Sequence, residues 1–194
     1  MVISFNNLFS SWNGLFVEQV LPDQYLPMSD LLTQWADIAD LKIEQLEQMD
    51  EDHPDLAIFN DSLSVATDSA HQLKNLTEDH SAYACRDAEK REQGIVIIRA
   101  PKAQDCLKVE YLITHPCNIR SIVNVRESSS VKGVGTALMR RVEELFLTTI
   151  KKSRIELYPT LSASAFYEKL GYCVGCREVG FERYKTIEML IEQI

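Results

Sequence analysis

Basic residues are almost missing from the first 80 positions of this chain. That segment carries fifteen Asp and Glu against two Lys, Lys42 and Lys74, and no Arg. It therefore stands at −13, whereas residues 81–194 stand at +4, giving −9 for the whole chain. So acidic a chain lacks the cationic footprint that a phosphate backbone demands, and nucleic acid is not an expected partner. Long apolar runs are missing too: nothing approaches the roughly 20 residues that span a bilayer, so no membrane contact is expected. The opening Met1-Val2-Ile3-Ser4-Phe5 lacks the basic start of a signal peptide, and a cytoplasmic location is the expectation. There is no cysteine framework. Cys85, Cys106, Cys117, Cys173 and Cys176 are odd in number and irregular in spacing, which predicts reduced thiols. Cys173 and Cys176 form a C-x-x-C, but two further ligands are lacking, and residues three apart on a strand face opposite sides. No metal site is expected. Glycine is scarce as well, seven in 194 residues, so two of them in one G-x-G stand out.

What is present fits one domain with a sizeable core: 194 residues, 45% hydrophobic and 25% charged. Residues 2–5 read as a short first strand. Ser29 reads as an N-cap, followed by Leu31, Leu32, Trp35, Ile38, Ala39, Ile43, Leu46 and Met49 on one helical face. A turn over residues 50–54 puts Pro54 at the first position of a second helix. That helix carries Leu56, Phe59, Leu63, Ala66, Ala70 and Leu73 at spacings of three and four. The two pair as a hairpin, so residues 1–80 are an acidic helical segment of the same domain. Residues 81–86 and 94–99 read as strands joined by a charged hairpin. Residues 107–115 are a central strand and 116–130 a loop. Two more strands are expected at 172–179 and 183–190. The fold class is α/β, a mixed and largely antiparallel sheet with helices on both faces, plus the N-terminal helical hairpin.

Residues 130–146 read S-V-K-G-V-G-T-A-L-M-R-R-V-E-E-L-F. Gly133 and Gly135 open an amphipathic helix shortly after the central strand. Glycine permits close backbone approach, and the first helical turn offers unpaired N–H groups and partial positive charge. The physical reading is an anion site for a pyrophosphate; a tightly packed helix start reads equally well. A strand at 154–158 then leads to residues 160–172, T-L-S-A-S-A-F-Y-E-K-L-G-Y.

With both stretches in this order, residues 81–194 resemble the GNAT superfamily of N-acetyltransferases. Gly133 and Gly135 match the glycines of its pyrophosphate loop. Ala163, Phe166, Tyr167, Lys169, Gly171 and Tyr172 match its second motif. Ser130 stands where the family usually has Gln or Arg, Val131 where a further Gly is frequent, and Thr160 where Asn is usual. The resemblance implies acetyl-CoA as co-substrate. It places Leu112, Ile113 and Thr114 beside the acetyl and pantetheine arm, and the N–H groups of Lys132, Gly133, Val134, Gly135 and Thr136 around the pyrophosphate, with Thr160 and Ala163 also at the cofactor. It implies Tyr167 as the general acid for the departing thiolate; a packing tyrosine is the alternative.

Glu110 interrupts an apolar strand and is a candidate base, with a salt bridge to a neighbouring Lys or Arg, or an exposed strand end, as the equal alternative. His115 and a water chain are further candidates. The acidic half is either a solubilising surface or a field that attracts a cationic amine. Asp30, Asp37, Asp40, Glu44 and Glu47 on the first helix, the last four along one stripe, are the acids to test for the second role. The expected activity is acetyl transfer to a primary amine, by a monomer or homodimer. The reading from another class is a GNAT-like module that binds acetyl-CoA or a protein partner without turnover.

Overall fold

Apolar residues at three- and four-residue spacing over 28–46 build the 23-residue helix α1 (Tyr25–Glu47). In the computed structural model, which describes residues 11–12, 14–120, 130–174 and 183–186, this helix begins four residues before the expected N-cap. A 3-10 turn at Pro22–Gln24 feeds it, and Pro27 falls in its first turn, where a missing N–H costs nothing. Ser29 is not a cap. It is buried, and its hydroxyl donates to the Ala70 carbonyl at 2.8 Å, fastening α1 to α2 (Leu56–Leu73). Pro54 precedes α2 by two residues, with Asp55 as the N-cap. At the turn end of this hairpin Ile43, Leu46 and Phe59 form a small core of their own.

The strands are β1 (Ser11–Trp12), β2 (Leu15–Val20), β3 (His80–Arg86), β4 (Glu92–Arg99), β5 (Cys106–Thr114), β6 (Arg154–Leu157), β7 (Cys173–Val174) and β8 (Arg183–Thr186). Among the described residues they form one sheet in the order β1-β2-β3-β4-β5-β6-β8-β7. Only β5 and β6 run parallel, as their connection through helix α3 (Val134–Thr148) requires. Helix α4 (Ser164–Lys169) follows β6. The mixed, mostly antiparallel sheet is as expected. The expected strand at 2–5, the outer parts of the last two strands and Cys176 lie outside the described residues. Strand β2 had no counterpart in the sequence reading. Only its ends, Leu15 and Val20, are buried, so it shows no period-two alternation. No helix among the described residues is long and apolar enough to cross a membrane.

Alternation sorts the sheet into two faces. Ala82, Ala84, Ile95 and Ile97 pack with α1 and α2 around Trp35 and Leu32. Tyr83, Cys85, Val96 and Ile98 pack under α3 with Leu138, Val142 and Phe146. Strand β5 changes sides part-way. Leu107 and Val109 face α3, whereas Tyr111 and Ile113 face the helical hairpin. The cause is a bulge: Ile97 pairs with Tyr111 and Ile98 with Val109, so Glu110 is the extra residue.

Gly94 sets how closely α3 approaches. A Cβ there would lie 2.5 Å from Val134 Cγ1 and 3.0 Å from the Ile113 carbonyl oxygen. We expect Gly94→Ala to destabilise the fold by about 1–3 kcal/mol. Because Val134 supplies the nearest atom, Gly94→Ala and Val134→Ala together should cost less than the sum of the two alone. Denaturant unfolding of the four proteins measures both; simple additivity would show that Gly94 does not set this spacing.

Candidate active site

Two elements of local sequence converge at the start of α3. Gly133 is its N-cap, with φ 85° and ψ 3°, a left-handed conformation that suits glycine. Val134, Ala137, Leu138 and Val142 then pin the helix to the sheet, which leaves its first turn facing outward with N–H groups that have no intrahelical acceptor. Lys132 and Gly133 are exposed. The approach to this turn is held from a distance. The Val131 N–H donates to Asn118 Oδ1 at 2.7 Å, Asn118 Nδ2 donates to Gln93 Oε1 at 2.9 Å, and Gln93 Nε2 donates to Asp87 Oδ2 at 2.8 Å. Asp87 is itself buried and bonded to Arg91. Neither Asn118 nor Gln93 belongs to a motif, and nothing in the sequence marks them.

Beside this turn the sheet opens. Strand β6 pairs with β5 only over Cys106–Val109, so among the described residues no strand pairs with residues 110–114 of β5 on that side. A cleft of about 270 Å³ occupies the fork. Leu112 and Thr114 line it from β5, Gly135 from α3, and Thr160, Ala163 and Tyr167 from the segment after β6. These six, all expected at the site, are brought together although up to 55 residues separate them. Ile113 points the other way, into the core under the hairpin, and Val134 is buried against Gly94. Lys132, Gly133, Val134 and Thr136 are not among the residues lining the cleft; they stand at the start of α3, next to Gly135.

Tyr167 is 6% exposed and stands edge-on between Phe166 at 4.9 Å and Tyr172 at 6.0 Å between ring centroids. Gly171, at φ 84°, reverses the chain after α4 so that the Tyr172 N–H donates to the Tyr167 carbonyl at 3.0 Å. The L-G-Y sequence thus fixes the tyrosine before it. Burial pushes the Tyr167 hydroxyl well above the ordinary phenol range, so it keeps its proton at neutral pH.

No family model matches this chain, and no curated protein matches it in sequence. Solved structures do. An Exiguobacterium sp. 255-15 protein assigned as an acetyltransferase superposes with a TM-score of 0.51 at 13% identity, over 92% of this chain and 97% of that one. The dodecameric spermidine N-acetyltransferase of Vibrio cholerae gives 0.55 at 12% identity, over 94% of this chain and 99% of that one. The fold is that of GNAT-type acetyltransferases.

Within this GNAT fold the remaining candidates fall elsewhere. Glu110 is not among the residues lining the cleft. Its Oε2 lies 3.0 Å from His80 Nε2 and its Oε1 3.7 Å from Arg99 Nη1, the ion-paired arrangement that the sequence left as its alternative. In the same cluster Asp79 is held down to about 2 by the Thr77 hydroxyl and by Arg99. His115 accepts the Cys117 N–H at 3.2 Å and meets Trp35 edge-on; it does not line the cleft either. The acidic stripe of α1, Asp37, Asp40, Glu44 and Glu47, is exposed and away from the cleft. The wall that the hairpin supplies comes from α2 instead, through Ile58, Asp61, Ser62 and Val65. Sequence reasoning singled out none of these four. Ile58 and Val65 flank the core-facing stripe, and only tertiary packing shows that this flank meets the fork.

Proposed function

We propose that this protein transfers an acetyl group from acetyl-CoA to a primary amine. The observation that supports it is the convergence, on one cleft, of the open side of β5, the first turn of α3 and the buried Tyr167. The first turn suits a pyrophosphate: it offers backbone N–H groups, a left-handed glycine and no acidic side chain from Val131 to Thr136. A β5 amide from the Leu112–Thr114 stretch, unpaired on the β6 side, would donate to the thioester oxygen as charge develops there. The neutral amine nitrogen attacks the carbonyl carbon, the carbon–sulfur bond breaks, and the Tyr167 hydroxyl gives its proton to the departing thiolate. The ammonium formed on attack returns a proton to the tyrosine through solvent in the open cleft. Glu110, tied to His80 and Arg99, takes no part in this route.

Calorimetric titration with acetyl-CoA, followed by a thiol-release assay over a panel of amines, tests the reading. We expect saturable binding, and release that requires an amine. Absence of binding would sink the acetyl-CoA assignment. Binding with no release for any amine would favour the alternative of a binding module without turnover.

A further inference from the structure

Thirteen residues line the cleft, and Asp61 is the one charged side chain among those described. The walls around it are largely apolar, with Ile58, Val65, Leu112 and Phe166 prominent. Asp61 is half-buried among them, so a cation entering the cleft can pair with its carboxylate. Within the chain its partner is neutral: Ser162 Oγ donates to Asp61 Oδ2 across 101 residues of sequence, and no cationic side chain among the described residues pairs with it. The next residue, Ser62, adds an independent sign. It is 9% exposed, lines the same cleft, and its Oγ has no hydrogen-bond partner. Buried hydroxyls are nearly always satisfied, and this one keeps its hydrogen-bonding capacity unused at the cleft wall. The two residues are adjacent on α2 and line the cleft together.

We infer that Asp61 and Ser62 form the acceptor subsite and hold a second, non-reacting cationic group of the acceptor, which makes the substrate a diamine-type compound. The inference rests on the acetyl-transfer reading for the identity of the reacting partner. The choice of a second cation follows from protonation. An amine attacks only when neutral, and a carboxylate paired with the attacking nitrogen would favour its protonated form. Paired with a second ammonium, the carboxylate orients the acceptor and leaves the attacking nitrogen free to lose its proton. The acidic stripe of α1 has no part in this, since it does not reach the cleft.

The test compares 1,4-diaminobutane with pentylamine, in which a methyl group replaces one ammonium. Both are titrated calorimetrically into the full chain saturated with CoA, so that binding is read without turnover. We expect the diamine to bind at least tenfold more tightly. Asp61→Asn should bring the two amines within about twofold of each other, Ser62→Ala should shrink the preference by a smaller factor, and Asp37→Asn on the α1 stripe should leave it in place. A circular-dichroism melt of each variant reports whether it is folded. Equal binding of the two amines, binding of neither, or a preference that survives Asp61→Asn would each overturn the inference. So would an equal loss in Asp37→Asn, which would trace the preference to the general acidic field. If Asp61-dependent binding of the diamine is found with no acetylation of any amine, the subsite stands and the acetyl-transfer reading falls.

Discussion

Tyr167→Phe should lower kcat by about 10²-fold while changing acetyl-CoA affinity by no more than about twofold. The substitution removes one hydroxyl and keeps the ring. Both edge-on contacts, to Phe166 and Tyr172, can therefore persist, and the N–H bond from Tyr172 is made by the backbone. What is lost is the proton donor. In the native protein that donor is buried, and burial raises its pKa above that of a free phenol. The acid form is thus fully present throughout the neutral range, and kcat should show no falling limb from Tyr167 between about pH 6 and 9. The variant should show the same pH profile at a lower level. Steady-state kinetics with the best acceptor, paired with calorimetry for acetyl-CoA, checks both halves. A loss confined to binding would return Tyr167 to a packing role, and an unchanged kcat would remove it from the chemistry.

The second large effect belongs to Gly135. We expect Gly135→Val to weaken acetyl-CoA binding by more than tenfold, about 1.4 kcal/mol or above. The structure adds a competing cause. A Cβ at this position would already lie 3.1 Å from Phe166 Cζ and 3.8 Å from Leu112 Cδ2. Valine could therefore act by crowding the pyrophosphate turn, or by pushing Phe166 into Tyr167. Shortening the ring in the same chain separates the two. If crowding of Phe166 were the whole effect, Gly135→Val with Phe166→Leu would recover affinity. We expect no recovery, because the valine methyl groups would still stand at the first turn of α3. Recovery in the double variant, or unchanged affinity in a folded single variant, would remove the pyrophosphate from this turn.

The local parts of this protein were legible without the fold. Spacing of three and four located α1, α2 and α3, because a helix that buries one stripe must repeat its apolar residues at that period. Gly133 announced a turn that other residues resist, and the run from Thr160 to Tyr172 announced a short helix ended by a glycine reversal. Capping was less legible. Ser29 has the chemistry of an N-cap, yet its hydroxyl is used by Ala70, a partner 41 residues away.

Tertiary structure decided the rest, and the reason is the same in each case. A sequence period tells which side of an element is buried but not which neighbour covers it. Glu110 looked like a base in an apolar strand; pairing with β4 makes it the bulged residue, turned toward His80 and Arg99. The fork between β5 and β6 depends on where parallel pairing stops, at Val109 and Leu157, and no local pattern encodes that point. Strand β2 lacks alternation because only its ends are covered. Five acidic residues lie on α1 and two on α2, but a cleft accepts only those whose helix flank faces it. That geometry passes over the four-residue stripe of α1 and brings Asp61 against Ser162, 101 positions later in the chain. The sequence alone determined that a glycine-led helix start and a motif tyrosine exist; packing across the sheet determined that they meet, and that α2 lines the same cleft.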